Sequence, residues 1–212
     1  MDLGITKKVA PLIRSVREMI ENEIAPLNDE YFSEVGKHPT GNRFLFTKRQ
    51  TTILEGLKDK ARSRNLWNFW LTDSEKGYGL STVEYAYLAE EMGKVAIAAE
   101  TFNCSAPDTG NMEVLERYGS KEHKQRWLVD LLDGKIRSAY VMTEPSIASS
   151  DAVQLEFSAK REGNSYLLNG EKWWISGAGD PRCALYILMA NTNPSAPRHN
   201  RHTMFAIDAA LP

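Results

Sequence analysis

Cysteine is nearly absent: Cys104 and Cys183 are the only two in 212 residues, and no CxxC spacing joins them. Neither a disulfide framework nor a cysteine metal centre is implied on that count. Long apolar runs are lacking too. The opening stretch MDLGITKKVAPLIRSVREM is broken by charge and by Pro11, so it reads as neither a signal-peptide core nor a membrane span. No charge sign is in excess, since 26 basic against 28 acidic side chains leave a net charge of −2. Such a balance exerts no chain-wide pull on nucleic acid or an anionic membrane. There is no internal repeat and no low-complexity tract. Of the four histidines, His199 and His202 stand three apart in the polar loop 193–202, but no third ligand is suitably spaced, and a solvated loop is expected there rather than a metal.

What is present is ordinary globular material, 42% hydrophobic and 25% charged, enough for one large domain or two small ones. The first two-thirds carries helical periodicity. Val9, Leu12, Ile13, Val16 and Ile20 share one face, and Pro26 is expected to close that helix. Thr47 with Gln50, and Ser81 with Glu84, have the spacing of capping boxes and predict two further helix starts. The aromatic and glycine-rich stretch from Leu66 to Gly79 reads as an ordered connection. A last helix is expected from Ser120 to Leu132, stopped by Gly134. From Arg137 the apolar period drops towards two. Six antiparallel strands are expected: Arg137 to Met142, Gln154 to Arg161, Ser165 to Leu168, Glu171 to Ile175, Cys183 to Ala190 and His202 to Ile207. Asn169-Gly170 is the dipeptide of a type I′ hairpin turn between two of them.

Three segments carry chemistry. Tyr140-Val141-Met142-Thr143-Glu144-Pro145 leads into Ser146-Ile147-Ala148-Ser149-Ser150-Asp151. Asn169-Gly170-Glu171-Lys172-Trp173-Trp174-Ile175-Ser176 follows downstream, and Gly119-Ser120, Lys124, Trp127-Leu128, Leu131-Leu132 and Gly134-Lys135 stand upstream. Taken singly these are bland. By periodicity Trp174 is a core aromatic, Thr143 a strand residue, and Ser149-Ser150-Asp151 a turn. In this order and spacing they resemble the acyl-CoA dehydrogenase family, with its Thr-Glu-Pro strand end and Asn-Gly-x-Lys-x-Trp-Ile-Ser segment. The serine turn is one residue longer than usual, as in a subgroup with Ala-Ser-Ser-Asp, so either Ser149 or Ser150 meets the ligand.

The resemblance implies an α+β chain: an all-helical N-terminal domain over residues 1–136, then an incomplete antiparallel β-barrel-like domain over 137–212, with the family's C-terminal helical bundle missing. It implies FAD as cofactor and α,β-dehydrogenation of an acyl-CoA to the trans-2-enoyl-CoA, as in fatty acid β-oxidation. A hydride leaves the β-carbon for the flavin while an α-proton is removed, which demands a ring held at fixed distance from the acyl chain. By resemblance, Tyr140, Met142, Thr143 and Ser149 lie along the flavin, Trp174, Ile175 and Ser176 form its second wall, and Ser150 contacts CoA. Glu144 is tempting as a base, but in the family that residue supports the turn and the base comes from the C-terminal region; no catalytic residue is therefore expected in this chain.

Asp108 and Glu113 carry no motif and read as surface charges. Thr101 to Ser105 falls where the family lines its acyl pocket, with core packing an equal alternative. The resemblance also implies an electron-transferring flavoprotein as acceptor and a homodimer or homotetramer at full length, with no nucleic acid and no integral membrane segment. The compartment is expected to be cytoplasmic in a bacterium, mitochondrial or peroxisomal in a eukaryote. Two alternatives stand beside it: an acyl-CoA oxidase, and a non-catalytic fragment that binds CoA or dimerises.

Overall fold

The computed structural model describes residues 3–71 and 77–210. The connection expected from Leu66 to Gly79 thus falls partly outside the described residues, as does the end of the last strand at Leu211-Pro212. The chain packs as two units, Met1–Thr109 and Gly110–Pro212.

The first unit is helical. α1 (Val9–Met19) buries Val9, Ile13, Val16 and Met19, and Pro11 lies in its first turn, where a missing N–H costs nothing. Each such side chain contributes roughly 1.5–3 kcal/mol when withdrawn from water. Pro26 does not end the helical run. Residues Ile20–Ile24 form a π-turn, and α2 (Ala25–Ser33) continues with Pro26 in its opening turn. The wider turn shifts the hydrogen-bond register there, so proline, which has no N–H to offer, is accommodated. The capping boxes at α3 (Lys48–Ser63) and α4 (Thr82–Met92) are complete. Gln50 N–H donates to Thr47 Oγ1 at 3.2 Å while Gln50 Oε1 accepts from Thr47 N–H at 3.0 Å. Glu84 and Ser81 do the same at 3.2 and 2.8 Å.

The short helix α5 (Ala98–Thr101) leads into a buried stretch. Thr101, Phe102, Asn103 and Cys104 are all buried, Phe102 packs on Phe69, and Asn103 Nδ2 donates to Asn68 Oδ1 at 2.6 Å. Core packing thus accounts for these side chains. Burial pushes the Cys104 thiol up to about 12, which removes it as a nucleophile.

α6 (Asp108–Tyr118) carries the chain into the second unit. Asp108 is 3% exposed and therefore not the surface charge expected, whereas Glu113 is exposed and pairs with Arg117 at 2.8 Å. The predicted helix after Ser120 forms as α7 (Lys121–His123), a π-turn at Lys124–Leu128 and α8 (Val129–Leu132). Ser120 caps it by accepting from His123 N–H, and Gly134, at φ +67°, closes it. This helical region joins the second unit because it is bonded to the sheet: Asn111 donates to Ser138 Oγ at 2.9 Å and Arg126 pairs with Asp208 at 2.8 Å.

Among the described residues five strands form a curled open sheet: β1 (Arg137–Val141), β2 (Ser158–Glu162), β3 (Ser165–Asn169), β4 (Cys183–Asn191) and β5 (His202–Asp208). β4 lies between β1 and β5, and β2 touches it at the single bridge Ser158–Asn191 before pairing with β3. The sheet is mixed rather than antiparallel throughout, since β1 runs parallel to β4 with Tyr140 opposite Ile187. A period of two reports which side chains share a face, not which way the neighbour runs.

The expected strand Glu171 to Ile175 does not form, and Asn169-Gly170 makes no hairpin. The β2–β3 hairpin turns instead at Gly163, φ +61°. Gly170 has φ +143° and lies so close to Phe157 that a Cβ there would meet its ring at 2.7 Å; glycine serves close approach at this point. Residues 152–154 form a 3-10 turn instead of the start of β2. Ala139, Val141 and Leu188 centre the core of one face, with Phe157, Leu168, Ile175, Tyr186, Phe205 and Ile207 packed against them.

Candidate functional site

The site gathers where β1 ends. Alternation puts Ala139 and Val141 into the core and turns Tyr140 to the opposite face, where its hydroxyl lies 3.9 Å from Met189 Sδ and 3.8 Å from Met204 Sδ. Beyond Val141, Met142 and Thr143 are half-buried, and the chain turns at Glu144-Pro145.

Glu144 is 5% exposed and fully engaged. Its Oε2 accepts from Glu156 N–H at 2.8 Å, and its Oε1 accepts from Phe157 N–H at 2.9 Å and from Lys172 Nζ at 2.8 Å. Burial alone would push this carboxyl up, but the Lys172 ammonium and the two N–H groups outweigh it and hold it below the usual range. A carboxylate with three donors and a depressed pKa is a poor proton acceptor. Lys172 Nζ also donates to the Met142 carbonyl at 2.7 Å, and burial lowers its pKa while Glu144 opposes that.

The turn after Pro145 separates the two serines. Ser149 is buried, and its hydroxyl accepts from Glu144 N–H at 2.8 Å. Ser150 is exposed. Asp151 Oδ2 pairs with Arg198 at 2.6 Å and accepts from Gln154 at 3.0 Å, while His202 Nε2 meets the Leu155 carbonyl at 3.0 Å. The loop expected to be solvated is therefore tied back to this turn. Hydrogen bonding by Gln154 leads the causes that lower the Asp151 pKa.

The segment 171–176 runs beside the end of β1. Trp173 N–H donates to the Thr143 carbonyl at 3.0 Å, and Ile175 packs into the sheet core. Between them Trp174 has φ +52° and is 81% exposed. A bulky side chain pays steric energy in that conformation, and such strain collects where a binding surface needs a particular direction. The indoles of Trp173 and Trp174 lie 5.8 Å apart at 61°. Ser176 is exposed.

Of the residues singled out in the sequence, Met142, Thr143 and the Trp174-Ile175-Ser176 run are brought to one place by the Trp173–Thr143 bond. Tyr140 stays among methionines on the far face of β1, Ser149 lies within the turn, and Ser150 is presented at its surface. Sequence reasoning missed the Lys172–Glu144 pair and the Arg198–Asp151 contact. The first had a signal, a lysine placed directly before the apolar run Trp173-Trp174-Ile175.

Among the described residues no group of three metal-ligating side chains occurs, and no helix is long and apolar enough to cross a membrane.

Residues 6–135 match the acyl-CoA dehydrogenase N-terminal domain, and residues 139–212 match the acyl-CoA dehydrogenase middle domain. Acyl-CoA dehydrogenase family member 10 of Mus musculus is 46% identical over 215 residues, covering 99% of this chain and 19% of the relative. The solved structure of an acyl-CoA dehydrogenase homologue from Mycobacterium abscessus is 44% identical with a TM-score of 0.89, covering 99% of this chain and 52% of that one. The FAD complex of PigA shares the fold at 21% identity and a TM-score of 0.72, covering all of this chain and 50% of that one. The chain thus spans about half of these solved structures and a smaller part of the curated relative.

Proposed function

Because the chain belongs to the acyl-CoA dehydrogenase family, we propose that it supplies the flavin wall and the CoA-contacting turn of an FAD-dependent enzyme that dehydrogenates acyl-CoA to trans-2-enoyl-CoA. The observation that carries this reading is Trp174: a flat apolar ring, 81% exposed, on an ordered segment bonded to the end of β1. A second flat ring stacked on it would bury that surface, and isoalloxazine fits in shape and polarity.

When bound, the flavin accepts a hydride. Thr143 and the backbone of Met142 would meet its polar edge, Trp174, Ile175 and Ser176 would cover one side, and Ser150 would contact the pantetheine or phosphate portion of CoA. Ser149 is better placed to shape the turn than to touch the cofactor. Glu144, its carboxylate held by three donors, is a poor base, and the reading assigns abstraction of the α-proton to a group outside this site. An electron-transferring flavoprotein as acceptor and a homodimeric or homotetrameric assembly are part of the proposal.

The test uses protein expressed from its natural reading frame, with acyl-CoA thioesters of several chain lengths and an artificial electron acceptor. Formation of 2-enoyl-CoA coupled to dye reduction supports the proposal. Bound flavin that no acyl-CoA thioester bleaches under anaerobic conditions refutes it.

A further inference from the structure

The Glu144–Lys172 pair takes no part in the chemistry proposed above, yet its side chains are 5% and 6% exposed and it joins two segments that no ladder aligns. We propose that Lys172 is a positioning residue, whose ammonium locks the Trp173-Trp174 segment to the end of β1 and so fixes where the Trp174 indole stands beside Thr143. The inference rests on reading that indole as a flavin wall.

The geometry carries it in three steps. Lys172 Nζ bridges the Met142 carbonyl at 2.7 Å and the Glu144 carboxylate at 2.8 Å, so one charge grips the residues on both sides of Thr143. The same carboxylate accepts from Glu156 and Phe157 N–H, which roots the grip in the entry to β2. Residues 171–175 form no strand, so regular pairing does not set their register. Trp174 itself is held neither by burial nor by backbone preference, being 81% exposed at φ +52°. Its restraint must come from its neighbours: Ile175 packed in the core on one side, and on the other the Trp173 N–H bond to the Thr143 carbonyl at 3.0 Å, a single bond whose register the Lys172 anchor secures. A lysine suits the task because its ammonium is a compact charge with three donors, able to serve a carbonyl and a carboxylate at once.

A merely stabilising pair and a positioning pair differ in one readout. Two indoles 5.8 Å apart at 61° couple their transitions and give an exciton couplet in circular dichroism, whose amplitude depends on their mutual geometry. The 212-residue chain is measured as wild type, as Trp174→Phe to identify the couplet by its loss, and as the double variant Lys172→Met/Glu144→Gln, which removes both charges together. The double variant is expected to keep its cooperative thermal transition while the couplet falls below half of the wild-type amplitude. A folded double variant with full amplitude overturns the proposal.

Should the double variant not fold, Lys172→Gln carries the test. Its amide is one bond shorter than the lysine arm, can still donate to Glu144 and no longer reaches both acceptors. A halved couplet supports the proposal and an unchanged one overturns it. FAD titration of the wild-type chain, followed by quenching of flavin fluorescence, probes the flavin wall separately: absence of binding sinks that reading and leaves the couplet result standing.

Discussion

Replacing Lys172 by methionine keeps most of the side-chain volume and removes the charge from a pair whose two side chains are each about 95% enclosed. Breaking a buried ion pair from one side leaves the partner charged and uncompensated, at about 3–5 kcal/mol. Glu144 retains two backbone donors, at 2.8 and 2.9 Å, so it is not abandoned entirely and the cost belongs at the lower end, about 3 kcal/mol. Glu144→Gln should cost about 2 kcal/mol, because the new NH2 group confronts an N–H donor wherever it points. Since the two residues share one interaction, the double variant should lose roughly 1–2 kcal/mol less than the sum of the singles. Urea unfolding followed by near-ultraviolet circular dichroism measures all three. A Lys172→Met loss below about 1 kcal/mol, with no coupling in the cycle, would show that the pair is solvated and that Glu144 is available for other work.

Ser149→Ala should lower stability by about 1–2 kcal/mol through loss of its bond to Glu144 N–H, with little effect on substrate KM, whereas Ser150→Ala should mainly raise KM in the natural full-length protein; the reverse pattern would place the ligand contact at Ser149. In the same context Thr143→Val should lower the flavin midpoint potential, measured by dye-equilibrated reduction. Asn111→Ala, which strips a donor from Ser138 at a site 1% exposed, should cost about 1–3 kcal/mol by thermal unfolding. Glu91, hydrogen-bonded to Arg17 at 2.7 Å and held at about 2, has a depressed folded-state pKa, so its contribution is complete above the ordinary carboxylate range and is lost as pH falls towards 2. Arg17 is half-exposed, so solvent screens the pair, and Glu91→Gln should flatten the acid limb of unfolding only modestly, as followed by thermal unfolding across pH.

The helical caps were legible because a capping box is local: Thr47–Gln50 and Ser81–Glu84 involve residues three apart, and no distant packing can rearrange the bond. Pro26 misled because its rule concerns helix interiors, and a π-turn at Ile20–Ile24 moved it to a helix start. Strand positions were readable from alternation, but the direction of β1 against β4 depends on a crossover that alternation does not encode. Asn169-Gly170 has the composition of a hairpin turn, yet Gly170 is used for its lack of a Cβ against Phe157. At the site, Thr143 and Trp174 were found by motif, and their juxtaposition came from the motif alone. Asp108 was misjudged and Lys172 overlooked for one reason: a charged side chain defaults to the surface, and burial with a partner is a tertiary fact.

The stacking surface of Trp174 is the most direct thing to measure. FAD is titrated into wild-type chain and Trp174→Ala, following flavin fluorescence and the circular dichroism induced in the flavin's visible band. A flavin wall predicts induced dichroism in the wild type and affinity weakened about tenfold or more in the variant, the scale of one lost aromatic stack. Equal affinity in the two proteins, or no induced signal in the wild type, contradicts it.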